Sequence, residues 1–164
     1  MDKELEALSR QVGEALARRG WMLATAESCT GGWIAEVVTA TAGSSSWFDR
    51  GFVTYSNAAK QDMLGVATAT LHGQGAVSEA TVLEMAAGAL LRSTAAITVA
   101  VSGIAGPGGA TPGKPVGTIC LAWACADGRR HAETRQFAGD REGVRRSTVI
   151  HALQGVIRLA EATP

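Results

Sequence analysis

Apolar side chains return every three or four positions near the start of the chain, at Leu5, Leu8, Val12 and Leu16, and Gly20 follows where the run ends. This spacing predicts an amphipathic helix over residues 5–19 with a glycine at its end. Residues 22–26 form a short, mostly apolar run, the length of a buried strand, and lead into the turn ESCTGG at 27–32. Helical spacing resumes at Trp33, Ile34, Val37 and Val38 and extends towards Gly43. Residues 51–55 predict a second strand, after which Ser56 or Asn57 can cap a short helix carrying Lys60, Met63 and Leu64 up to Gly65. Ser78 can cap a longer helix through Val82, Met85, Ala86 and Leu90, and residues 96–102 read as a largely apolar strand rich in β-branched residues. Beyond a glycine-rich loop at 103–109, residues 116–126 and 129–137 read as strands joined by Asp127-Gly128, a two-residue hairpin signal. Asp140 can cap a last helix whose apolar stripe is Val144, Val149, Leu153, Val156, Ile157 and Ala160.

The resulting order, α-β-α-β-α-α-β-β-β-α, predicts an α/β fold. It is a three-layer α/β/α sandwich around a mixed, mainly parallel sheet that includes one antiparallel hairpin. Glycine and proline concentrate between strong elements and no repeat or linker is visible, so residues 1–164 are expected to form one domain whose glycine-rich segments are site loops. A chain of 164 residues with 46% apolar and 18% charged residues can bury a core without disulfides or metal and does not have the composition of a disordered segment.

Fifteen basic residues balance fifteen acidic ones, which removes the broad positive field that nucleic-acid and anionic-membrane binders use. Cys29, Cys120 and Cys125 form an odd set without C-x-x-C spacing, supporting neither a disulfide framework nor a zinc ribbon and fitting a reducing cytoplasm. The N-terminus opens acidic and helical, unlike an export signal, and no run approaches ~20 apolar residues. The expectation is a cytoplasmic protein that binds neither nucleic acid nor membrane.

Ser28 is the first candidate for chemistry. A serine on a sharp strand-to-helix turn presents its hydroxyl at the sheet edge, and the N–H groups of Cys29, Thr30 and Gly31, with the positive end of the following helix, can hold an oxyanion or a phosphate. Equally, Ser28 or Thr30 can serve only as a helix cap. His72, His131 and His151 share no motif with Ser28, which argues against a Ser-His-Asp triad; His72 falls in a glycine-flanked loop, His131 on a hairpin strand and His151 on the last helix. Lysine is scarce, with three against twelve arginines, and Lys60 follows the single tyrosine, Tyr55, by five positions. Desolvation can bring a lysine pKa down towards neutrality, so Lys60 can act as a base with Tyr55 as relay or holder; an exposed lysine and a buried tyrosine are the plainer alternative.

The loop containing Gly103, Ile104, Ala105 and Gly106 can form a nest for phosphate, although it matches neither the P-loop nor the dinucleotide pattern. Arg141, Arg145 and Arg146 crowd the start of the last helix, where they can pair with a phosphate or form surface ion pairs. Trp21, Trp33, Trp47 and Trp123 suit a core or a subunit interface, which leaves a homodimer open. No ligand cluster for a metal is evident, and no cofactor is expected.

Seven stretches taken together, AESCTGG at 26–32, AGSS at 42–45, GFVTYSN at 51–57 with Lys60, GAVS at 75–78, SGIAGP at 102–107, KPVGT at 114–118 and FAGDR at 137–141, resemble the nicotinamide-nucleotide amidohydrolase family. That family also forms the C-terminal domain of the competence/damage-inducible protein CinA. The resemblance spans nearly the whole chain in order and implies a stand-alone form lacking the long N-terminal domain of full CinA proteins. It implies hydrolysis of the nicotinamide mononucleotide carboxamide to nicotinic acid mononucleotide and ammonia in pyridine-nucleotide recycling. It further implies Ser28 as nucleophile, assisted by Tyr55 and Lys60. The competing readings are a non-catalytic nucleotide-binding module and a competence-related interaction protein.

Overall fold

In the computed structural model, which describes residues 1–163, the first helix, α1 (Lys3–Arg19), is capped by the Asp2 side chain on Leu5 N and closed by Gly20 in the left-handed conformation. Strand β1 (Leu23–Glu27), helix α2 (Trp33–Thr39), a single 3-10 turn (Ser44–Ser46), strand β2 (Phe48–Val53) and helix α3 (Asn57–Leu64) follow. Helices α4 (Thr68–Gln74) and α5 (Glu79–Leu91), strands β3 (Ile97–Gly103), β4 (Thr118–Cys125) and β5 (Arg130–Gln136), and helix α6 (Arg141–Glu161) complete the chain.

The sheet order is β2-β1-β3-β4-β5. β1 pairs in parallel with β2 and β3, whereas β4 runs antiparallel to β3 and β5, so four of the five strands point the same way. This is the expected mixed sandwich. Alternation along the strands sorts side chains by size. Ile97, Val99, Val101, Ile119, Leu121 and Trp123 join the core under α1, α2 and α6, while Ala100, Cys120, Ala122 and Ala124 face α5. Small residues on that face let α5 sit close to the sheet. On the opposite layer α6 lies against Trp123, whose ring nitrogen donates to Ala152 O at 3.0 Å.

Four expectations need correction. The second strand spans Phe48–Val53 because Phe48 pairs with Leu23 in the β1 ladder; Tyr55 lies past its end, in the junction to α3. Helix α4 gave no sequence signal, since its seven residues bury only Leu71; the Glu84 carboxylate of α5 accepts from Ala67 N and Thr70 Oγ1 and so supplies the cap its own sequence lacks. His72 therefore sits in a helix, not a loop. The β4–β5 connection is not a two-residue turn. Gly128 is its one residue with positive φ, at 100°, and its N–H closes on Cys125 O, whereas a tight I′ turn requires Asp127 to be left-handed as well.

Trp47 and Trp123 are buried and Trp21 and Trp33 partly so. Trp21 and Trp33 therefore keep some exposed surface, whereas Trp47 and Trp123 offer almost none to a partner subunit. Among the described residues, no helix is long and apolar enough to cross a membrane.

Candidate active site

The turn after β1 is built by hydrogen bonds that the strand sequence leaves free. Ser28 N donates to Val101 O of β3, continuing the ladder one residue past β1, and Gly31 N returns to Ser28 O at 3.0 Å. Gly31 (φ 61°) and Gly32 (φ 105°) occupy the left-handed region that residues with a Cβ avoid, which lets the chain reverse into α2 within five residues. The start of α2 is not open to solvent anions. Glu27, 1% exposed, accepts from Ile34 N (2.9 Å), Ala35 N (3.0 Å) and Thr30 Oγ1 (2.6 Å). This buried carboxylate neutralises the helix end that the sequence reading offered to a ligand. Gly31 N is likewise committed. Among the N–H groups of the turn at 28–32, those of Cys29, Thr30 and Gly32 have no protein acceptor among the described residues.

Across from the turn, Ser56 caps α3 through Ala59 N at 3.0 Å and sets Lys60 one turn into the helix, pointing inward. The position of α3 depends on α5, where Gly88 faces Leu64: a Cβ at Gly88 would lie 2.0 Å from the Leu64 carbonyl oxygen. Lys60 is only 1% exposed. Its Nζ lies 3.0 Å from Ser28 Oγ, 2.9 Å from Thr54 O and 3.0 Å from Tyr55 O. Burial lowers its pKa from the ordinary 10.5. Cys29 does not compete as a nucleophile, because burial pushes its thiol up to about 12.

Ser28 is 7% exposed and opens on a cavity of about 370 Å³ lined by Lys60, Tyr55, the stretch Gly103, Ile104, Ala105 and Gly106, and Arg141. The sequence candidates on β1, α3 and the glycine-rich loop thus converge on one space. Tyr55 contributes differently from the expectation. Its backbone carbonyl accepts from Lys60, whereas its ring is 64% exposed and its hydroxyl meets Arg141 Nη2 at 3.5 Å rather than Ser28 or Lys60.

The two arginines four residues apart separate. Arg141 donates to Gly106 O at 2.8 Å and lines the serine cavity. Arg145 instead donates to Cys29 O and Thr30 O (3.0 and 3.1 Å) and lies 5.4 Å from the Trp33 ring centre, bracing the turn from its outer side. Arg146 pairs with Asp2 and Glu4.

A larger cavity of about 650 Å³ adjoins on the far side of Arg141 and Arg145; its lining hydroxyl, Thr30, is committed to Glu27. His131 and His151 share Glu133 between β5 and α6, none of the three lining either cavity, and His72 is exposed on α4. Among the described residues no group of three His, Cys, Asp or Glu side chains is placed to hold a metal ion.

Sequence reasoning missed two contributors. Glu27 was visible as a lone acid ending an apolar strand run, but its capping role depends on the chain reversing over it. Ser102, 2% exposed near the end of β3, also lines the serine cavity; the sequence placed it in the SGIAGP stretch but assigned it no role.

The chain is 56% identical to the nicotinamide-nucleotide amidohydrolase PncC of Escherichia coli K12 over 153 residues, 93% of each chain. It is 53% identical to the protein of the same name from Pseudomonas putida, covering 94% of this chain and 96% of the relative. A crystal structure of the competence/damage inducible protein CihA from Agrobacterium tumefaciens superposes with a TM-score of 0.95 at 48% identity, covering 98% of both chains. The family model of the CinA C-terminal domain matches residues 5–160. With a match of that extent, and relatives this similar in sequence and fold, the chain belongs to the CinA C-terminal domain family.

Proposed function

We propose that this chain hydrolyses the carboxamide of nicotinamide mononucleotide to nicotinic acid mononucleotide and ammonia, as a cytoplasmic enzyme of pyridine-nucleotide recycling. The substrate comes from the names of the PncC relatives. The observation that carries the chemistry is the set of three contacts at Lys60 Nζ. A neutral amine has two N–H donors and one lone pair. Thr54 O and Tyr55 O take the two donors, which turns the lone pair to Ser28 Oγ at 3.0 Å; the hydroxyl, which donates to Tyr55 O at 3.4 Å in the resting site, gives its proton to that lone pair on leaving the carbonyl.

In this reading Ser28 Oγ attacks the carboxamide carbon as its proton passes to Lys60. The oxyanion rests on the N–H groups of Cys29 and Thr30, where a single such donor is worth about 10²- to 10³-fold in rate. The ammonium of Lys60 then protonates the departing amine, ammonia leaves, and an ester to Ser28 remains. Water activated by the neutral lysine cleaves that ester. Tyr55 acts through its carbonyl, holding Lys60, while its ring and Arg141 flank the mouth. Arg141 places positive charge where the substrate phosphate enters, beside the glycine-rich loop. Arg145 supports the reaction by fixing the carbonyls of the turn whose amides face the oxyanion.

Incubation of the purified protein with nicotinamide, its riboside, its mononucleotide and NAD, with ammonia measured, tests the reading. The mononucleotide is expected to react fastest. Ser28→Ala should abolish release while retaining mononucleotide binding; near-normal release from that variant would exclude serine covalency. Binding without release from the unaltered protein would favour a non-catalytic nucleotide module.

A further inference from the structure

The glycine-rich segment from Gly103 to Gly117 is fixed very unevenly. Its base is tied to the sheet: Ile104 N donates to Thr118 O, Gly117 N to Ile104 O, and Gln136 Nε2 to Val116 O. Residues 107–113 are all exposed. Thr111 and Lys114 close the tip on itself through reciprocal backbone bonds of 3.0 and 2.9 Å. One bond carries the tip to the rest of the fold, from Lys114 Nζ to Gln74 O at 3.0 Å. Gln74 ends α4, so this carbonyl is one of the acceptors a helix leaves unpaired, and a cation there is favoured. Behind the strap lies a second cavity of about 360 Å³ lined by Gln74, Val77, Gly113 and Lys114, so packing does not hold the tip in place.

Each end of that bond adjoins in sequence a stretch that lines the serine cavity: Gly108 and Gly109 come before Thr111 and Lys114, and Ala76 and Val77 come just after Gln74. We propose that Lys114 is a positioning residue for the reaction, a clip from the glycine strap to the end of α4 that sets the width of the substrate cavity. This inference rests on the proposed amidohydrolase reading for its substrate, though not for its geometry. The clip touches none of the atoms around Ser28 and Lys60, so its contribution is the same for bound substrate and transition state. Its loss therefore raises KM and leaves kcat alone.

The test compares Lys114→Met, which keeps the length of the side chain without the donor, with Lys114→Arg, which restores a donor. The methionine variant should raise KM for nicotinamide mononucleotide about two- to tenfold, the range for one lost hydrogen bond. Its kcat should hold, and the amide order parameters of Gly108, Gly109 and Gly113 in NMR relaxation should fall. Arginine should recover both. Unchanged KM, unchanged order parameters, a loss confined to kcat, or failure of arginine to rescue would each overturn the proposal. If the unaltered protein released no ammonia, the amidohydrolase reading would fail; the same comparison read on mononucleotide Kd and on the glycine order parameters would still decide the role of Lys114.

Discussion

Replacing Glu27 by alanine removes the three acceptor contacts that organise the turn carrying Ser28. The carboxylate is buried, so the N–H groups of Ile34 and Ala35 lose their partner where solvent does not reach freely. An orphaned buried donor costs about 1–3 kcal/mol. Two of them, partly rehydrated by water entering the vacated side-chain volume, place the loss near 3 kcal/mol, beyond the ~1 kcal/mol of an ordinary helix cap. Glu27→Gln keeps one acceptor oxygen but turns an NH₂ towards a donor, and about half that loss is expected. Urea unfolding followed by far-UV circular dichroism measures both. With m of about 2 kcal/mol per molar, the alanine midpoint should drop by ~1.5 M. Activity should fall as well, because Thr30, whose amide is proposed to hold the oxyanion, is tied to Glu27 through its hydroxyl. A midpoint shift of under ~0.3 M at unchanged m, the size of a surface substitution, would refute the assignment of Glu27 as the structural anchor of this turn.

Lys60→Arg keeps the charge and removes the neutral amine, and ammonia release should fall at least ~100-fold; activity within tenfold of the original would dismiss Lys60 as the base. Because burial lowers the Lys60 pKa below 10.5, kcat/KM of the unaltered protein should rise as pH climbs through that depressed value, and a rate profile flat from pH 6 to 10 would contradict it. The same shift means the unfolded chain binds that proton more tightly, so stability also rises with pH between the depressed value and 10.5, a rise that urea midpoints of Lys60→Met should lack. Gly88→Ala puts a Cβ 2.0 Å from the Leu64 carbonyl and must push α3 off α5. The expected cost is about 1–3 kcal/mol in unfolding free energy, with a fall in kcat as Lys60 shifts from Ser28. Alanine favours helix over glycine by ~1 kcal/mol, so a stabilised and fully active variant would show that this contact does not set the position of α3.

Periodicity and caps made most of the fold legible in the sequence. Ser56, Ser78 and Asp140, named as caps from the sequence, each cap the helix that follows them, because capping is a contact between residues three apart and needs no tertiary partner. The run of apolar strands and the paired glycines at 31–32 likewise fixed where the chain must reverse, and so put Ser28 at a turn. Contacts between distant residues were another matter. Helix α4 exists because Glu84, 17 residues from Ala67, supplies its missing cap.

The same distinction divides the site. Ser28 and Lys60 are 32 residues apart, and only the parallel pairing of β1 with β2, together with the α3–α5 contact at Gly88, closes that separation to a hydrogen bond. Arg141 and Arg145 are equivalent by helical spacing. Which of them reaches the cavity was decided by what stands opposite each, the Gly106 carbonyl for one and the catalytic turn for the other. Tyr55 was identified from its phenol, yet the backbone carbonyl is what holds Lys60, since ending β2 at Val53 leaves the ring in solvent. Local sequence specified which groups are available and where the chain turns; long-range packing chose which atoms of those groups meet, because that choice depends on distances between elements that no local pattern encodes.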